Sequence, residues 1–154
     1  MGKRSNAFID DISKDLKMLD AHLKNFNVVK KNWFDITNEA IELVNQRVEI
    51  LYTRHQAKER LANQDPDYVK LGRDADKIEE TTQAIEGQLN RLIDEIETSK
   101  SNILQKLGRF DAFVKQKQKD TKNPFKKLSV SSSKKFIKDV TKALAGVKPN
   151  LRPS

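Results

Sequence analysis

The chain is predicted to be all-α, built from long antiparallel coiled-coil helices in a helical hairpin or bundle with a short C-terminal amphipathic helix. Three observations predict this. A seam, apolar but for the small hydroxyl residues Thr82 and Ser99, recurs in alternating steps of four and three at Leu71, Ala75, Ile78, Thr82, Ile85, Leu89, Leu92, Ile96, Ser99 and Ile103, then at Leu107, Phe110 and Val114. Only 36% of the residues are apolar and 34% are charged, too little grease for a thick globular core but enough for helices sharing a thin seam. Finally, Asp65-Pro66-Asp67 separates two such stretches with a helix-start signal, since proline lacks the N–H that a first turn leaves unpaired.

The first helix is expected to begin near Asn6 and to carry the seam Ile9, Ile12, Leu16, Leu19, Leu23, Phe26, Val29, Trp33, Ile36, Ala40, Val44, Val48 and Leu51. Phe8, Val28, Phe34, Ile41 and Ile50 broaden that stripe, so the helix calls for more than one neighbour. Asn25 and Asn27 weaken helix propensity and mark a place for a kink or break near Phe26. The break falls over Ala62–Asp67, and the second helix runs from Pro66 to about Lys122, through Gly72, Gly87 and Gly108. Within the two helices the positions expected to form the oligomer seam are Leu16, Leu23, Trp33, Val44, Leu51, Ile78, Ile85, Leu89, Leu92, Ile96, Ile103 and Phe110.

Asn123-Pro124 is expected to end the second helix, because the residue before proline is pushed out of the helical region. A loop to Ser133 follows, with that serine as N-cap of a third helix from Lys134 to Ala145, closed by Gly146 and Pro149. This helix is amphipathic, with Phe136, Ile137, Val140 and Leu144 opposite Lys134, Lys135, Lys138 and Lys142. The chain thus divides at 122 into a helical hairpin (1–122) and a basic linker, short helix and tail (123–154). No internal repeat or strand is legible.

Charge is unevenly placed. The net +8 splits into −3 over residues 1–100 (16 basic, 19 acidic) and +11 over residues 101–154 (14 basic, 3 acidic). Such asymmetry points to contact with something anionic. The residues expected to make it are Lys106, Arg109, Lys115, Lys117, Lys119, Lys122, Lys126 and Lys127, with Lys134, Lys135, Lys138 and Lys142 on the third helix. Two or three cations suffice to complement a helix C-terminus, and this is an excess. A lysine-rich amphipathic helix has the build of a membrane-surface helix; it equally suits a helix that folds back on the bundle. Nucleic acid ranks lower, since lysines outnumber arginines and no aromatics interleave to stack bases. Lys126-Lys127-Leu128-Ser129 resembles a basic-directed kinase site, where a phosphate would weaken attraction to an anionic surface.

Enzyme chemistry finds little footing. There is no cysteine, the five glycines are scattered singly, and His22 and His55 lie far apart. Paired carboxylates such as Glu79-Glu80 and Asp94-Glu95 follow the spacing of a solvated helix face, and Trp33 sits on the seam. No cofactor, metal or small-molecule substrate is implied. No apolar run approaches the roughly 20 residues that span a bilayer, the N-terminus lacks a signal-peptide core, and Asn6 departs from the myristoylation pattern. A cytoplasmic protein, peripheral to membranes at most, is the expectation.

Tyr52-Thr53-Arg54, Ala57-Lys58-Glu59-Arg60-Leu61, Asp76-Lys77-Ile78, the run from Ile103 to Phe113 with its Arg109-Phe110-Asp111, and Lys119-Asp120 resemble the BAR-type helical region of sorting nexins. The likeness covers residues 48–128. It implies a crescent dimer that binds curved anionic membrane through basic residues, without catalysis. The chain departs from the family in having no phox-type lipid-binding domain, in being short for three full BAR helices, and in Asn123-Pro124. The function expected is therefore a non-enzymatic coiled-coil scaffold that oligomerises through its seam and meets an anionic membrane through its basic third. The alternative is an interaction subunit of a hetero-oligomeric complex (tether, kinetochore or cytoskeletal) that does not touch membrane.

Overall fold

Helix α1 (Lys3–His55) carries the first seam without interruption. A computed structural model describes residues 3–120 and 124–150, with the backbone alone for 124–129. After α1 come a single turn, α2 (Glu59–Ala62), then α3 (Pro66–Asp120) and α4 (Pro124–Ala145). All the regular structure among the described residues is helical, with no strand. No break falls at Phe26, and α1 is continuous through it. Asn25 and Asn27 face solvent on either side of Phe26, whose side chain is only 2% exposed. Their propensity cost is a few tenths of a kcal/mol each, less than burying one phenyl ring gains.

The chain forms two compact units. One comprises Met1–Asn25 with Leu92–Ser154; the other is Phe26–Arg91. The first is a three-helix packing of the α1 N-terminal part, the α3 C-terminal part and α4. Its core is Ile12, Leu19, Leu92, Ile96, Ile103, Leu107, Phe110, Val114, Val130, Val140 and Leu144, all buried. Phe8 stacks on Phe110 with ring centroids 5.0 Å apart, and Phe136 meets Phe110 edge-on at 6.3 Å. Residue numbers fall along α3 as they rise along α1, from Phe8 against Phe110, through Asp15 against Lys106, to His22 against Glu95.

Helix α4 starts ten residues earlier than the sequence suggests. Pro124 is its first residue, where a missing N–H costs nothing, so the loop expected over 123–133 is helix from Pro124 on. Ser133 is not an N-cap but an interior residue, 1% exposed. It shares a four-three register with Val130, Ile137, Val140 and Leu144, and the small side chain lets α4 sit close to its neighbours. Burial of that whole face outweighs the weak helix propensity of three consecutive serines.

The second unit is a helical pair, with Trp33 against Glu86, Arg47 against Tyr68 and Arg54 against Asp67. Its buried apolar residues are Phe26, Ala62, Tyr68, Ile85 and Leu89. Between the helices, Gln56 and Ala57 adopt positive φ (49° and 65°) in place of the glycine usual there. The Ala57 N–H donates to the Leu51 carbonyl at 3.0 Å and holds the turn. Thus α1 ends earlier than the break at 62–67 implied, and α2 fills the gap.

The glycines of α3 do not break it. Gly87 and Gly108 are exposed, and a Cβ on either would meet nothing within 4 Å. Replacing each by alanine is expected to raise stability by about 1 kcal/mol, the helix-interior difference between the two residues. Urea denaturation reads this directly; a lower midpoint for either variant would contradict helical packing there.

Candidate interaction surfaces

The residues expected to face an anionic surface divide into three groups. Lys106 is already engaged: its Nζ donates to Asp15 Oδ2 at 2.5 Å and to Asp11 at 3.1 Å, and these carboxylates raise its pKa above the ordinary lysine value. Lys115 pairs with Asp111 one turn back at 3.0 Å, and Lys117 lies over the Phe113 ring at 5.3 Å, with Arg4 also over that ring at 5.7 Å. These cations have local partners, which sequence spacing alone did not reveal. Arg109 and Lys119 are exposed. Arg109 lines a polar groove of about 650 Å³ with Asp15, His22, Asp94, Glu95 and Asn102. Lys122 lies outside the described residues, as do the side chains of Lys126, Lys127 and the kinase-site residue Ser129.

Lys134, Lys135, Lys138 and Lys142 are all exposed. They span about a third of the α4 circumference, since helical residues advance 100° each. The opposite face of α4 is covered: Val130, Val140 and Leu144 are buried, and Lys100 Nζ donates to the Val147 carbonyl just beyond the helix at 2.7 Å. Of the two readings of this helix, the fold-back on the bundle is the one observed. The unit that holds it carries 20 basic and 10 acidic residues, against 10 and 12 in the Phe26–Arg91 unit.

The predicted seam residues are unequally covered. Leu92, Ile96, Ile103 and Phe110 are buried in the first unit, with Leu16 and Leu23 half-buried at its margin. In the second, Ile85 and Leu89 are buried and Trp33, Leu51 and Ile78 half-buried, while Val44 is 48% exposed. Ile41, Val48 and Tyr52, at 53%, 43% and 62% exposure, continue the same open stripe along α1. Beside it runs a groove of about 420 Å³, lined by Thr37, Ala40, Ile41, Val44, Val48, Tyr68, Gly72, Ala75, Asp76, Glu79 and Thr82, among others. Arg47 lies flat inside it, 4.0 Å over the Tyr68 ring, with its Nε donating to the Tyr68 carbonyl. Gly72 permits this, because a Cβ there would sit 3.0 Å from Arg47 Cζ. The Thr37 hydroxyl, at one end, is the buried side-chain polar atom among the described residues that has no partner.

A charged cluster ties the turn of the second unit. Asp65 Oδ1 accepts the Asp67 N–H at 3.0 Å, the N-cap bond of α3 that Asp-Pro implied. Its Oδ2 accepts from His55 Nε2 at 2.8 Å and from Arg54 at 3.3 Å, and Arg54 also reaches Asp67 at 2.8 Å. The bond from His55, then the Asp67 N–H and Arg54, hold the Asp65 carboxyl below its usual range. These bonds join the end of α1 to the start of α3 across the turn, in the manner of a clamp. Because the folded-state pKa is the lower one, the stability from Asp65 is full above the ordinary aspartate value of about 4 and is lost as pH falls through the folded value. Asp65→Asn, which keeps an N-cap acceptor, should therefore lose less stability than the parent between pH 5 and pH 2 in urea titrations.

Among the described residues no group of three His, Asp or Glu side chains is placed to hold a metal, and no helix is long and apolar enough to cross a membrane. Compared with known proteins, the chain matches no family model, no curated protein and no solved structure.

Proposed function

We propose that this protein is a non-enzymatic assembly component, an antiparallel coiled-coil hairpin that meets an anionic membrane surface through its basic unit. The observation that carries this reading is the lysine face of α4, with Lys134, Lys135, Lys138 and Lys142 exposed and turned away from the buried Val130, Val140 and Leu144. With the apolar side of α4 occupied, the contact is electrostatic and superficial, and no helix is inserted between lipids. Each lysine near an anionic leaflet contributes about 1 kcal/mol before screening, so four suffice for reversible recruitment. The likeness of residues 48–128 to the sorting-nexin helical region points the same way, and the long helices packing on one another agree with a scaffold role.

The test is pelleting with vesicles of phosphatidylserine and phosphatidylcholine at rising salt. Binding is expected to fall steeply with ionic strength, and to drop at least tenfold when Lys134, Lys135, Lys138 and Lys142 become glutamate. Equal binding by that variant, or binding that ignores salt, would remove the mechanism.

A second reading has its own observation. The open stripe Ile41, Val44, Val48 and Tyr52 suits a subunit of a hetero-oligomeric complex whose seam another chain completes.

A further inference from the structure

We propose that the groove between α1 and α3, over residues 37–52 and 68–82, is the docking site for a lysine- or arginine-rich amphipathic helix of a partner protein. This deepens the reading of the chain as an assembly component and uses a different surface from the lysine face of α4.

The first unit shows what covers such a seam. There a third helix, α4, buries an apolar four-three stripe within the unit it shares with parts of α1 and α3, meets α3 at Phe110, and leaves its lysines exposed. In the second unit the seam of α1 carries on through Ile41, Val44, Val48 and Tyr52, yet about half of each side chain is open. From Ile41 to Tyr52 the stripe rises about 16 Å, three turns of helix. Ala40 and Ala75 give the lining small side chains beside this stripe, while Gly72 lies under the Arg47 guanidinium.

Charge selects the occupant. Asp76 and Glu79 line the groove on the α3 side. On the α1 side the lining reaches the uncharged Asn45, and Glu42 and Glu49, both exposed, lie further round the helix, outside the lining. Arg47 is the cation of the lining, and it is pinned across Tyr68 and Gly72. An apolar trough with an acidic rim on the α3 side fits a helix with an apolar stripe and a basic flank. A second copy of this chain suits it poorly, because the basic amphipathic α4 is already seated in its own unit.

The experiment uses the full chain and two fluorescent 18-residue helical peptides with identical leucine stripes, one flanked by lysines and the other by glutamates. Anisotropy titration is expected to give one saturable site for the lysine peptide, at least ten times tighter than for the glutamate peptide. Val44→Asp with Val48→Asp should weaken it at least tenfold, while circular dichroism stays unchanged because both positions are half open. Asp76→Lys with Glu79→Lys should reverse the preference between the peptides. Comparable binding of both peptides, or lysine-peptide binding that survives the Val44/Val48 substitutions, would overturn the proposal. So would a dimer of the chain alone, seen by sedimentation and broken by Val44→Asp, which assigns the groove to a second copy. Vesicle pelleting by the Val44/Val48 variant should equal that of the parent, so failure here leaves the membrane reading standing or falling on its own test.

Discussion

Phe110→Ala is expected to lower the unfolding free energy by about 3–5 kcal/mol, the range for deleting a fully buried aromatic side chain. Phe110 is 0% exposed and meets Phe8 from α1 and Phe136 from α4, so its ring is where three helices of the first unit join. Neither neighbour can easily fill the space, because each is held on its own helix. Against the roughly 5–15 kcal/mol typical of folded domains, such a loss is a large fraction of the total. Leu104, 47% exposed on the same helix, is the control, and its alanine variant should change stability by no more than about 0.5 kcal/mol. Urea denaturation of both variants is the measurement, and a Phe110 effect below about 1 kcal/mol would mean that the aromatic cluster does not form.

Leu144→Asp should release α4. Leu144 is 2% exposed, and the substitution both removes about 2 kcal/mol of apolar burial and forces a carboxylate into the interface. Together these cost about 3 kcal/mol or more, enough for the helix to leave the bundle and not merely loosen. Deuterium exchange over residues 130–147 is expected to accelerate strongly, while residues 92–114 of α3 change less. Ala143→Asp, one position earlier and exposed, should leave exchange unchanged. If α4 of the parent already exchanged as fast as the Leu144 variant, its apolar face would be free, and membrane insertion would replace the superficial contact proposed above.

Much of this architecture could be read from residue spacing. None of the seam positions from Leu71 to Val114 is exposed, and the proline at 66 begins α3, where its missing N–H costs nothing. Local rules failed where tertiary packing outweighed them. Asn25 and Asn27 weaken the helix enough to suggest a break, but Phe26 between them is buried and α1 runs through unbroken. Ser131 to Ser133 predict a loop, but one of the three lies in a buried stripe, and the helix runs through them. The turn at Gln56-Ala57 carried no signal, because the left-handed conformation there is held by a non-glycine pair.

The candidate surface was legible in outline only. Charge counting located the basic region, yet it could not separate Lys106, held by Asp11 and Asp15 some 90 residues earlier in sequence, from Lys134 on an open face. The clamp at Asp65 was half visible: Asp-Pro announced the cap, while the bond from His55 needed the return of the chain.

By itself, the order of residues determined that these would be helices, that the second long one would start at Pro66, and which side of each would seek cover, because periodicity and proline act within a few residues. What only the tertiary structure decided is which sides receive that cover. The stripe on α1 is covered in one unit, where Ile12 and Leu19 are buried, and is left half open in the other, and the apolar side of α4 is buried within its own chain. Coverage depends on neighbours distant in sequence, and that is why the same heptad pattern yields a closed core in one place and an open groove in another.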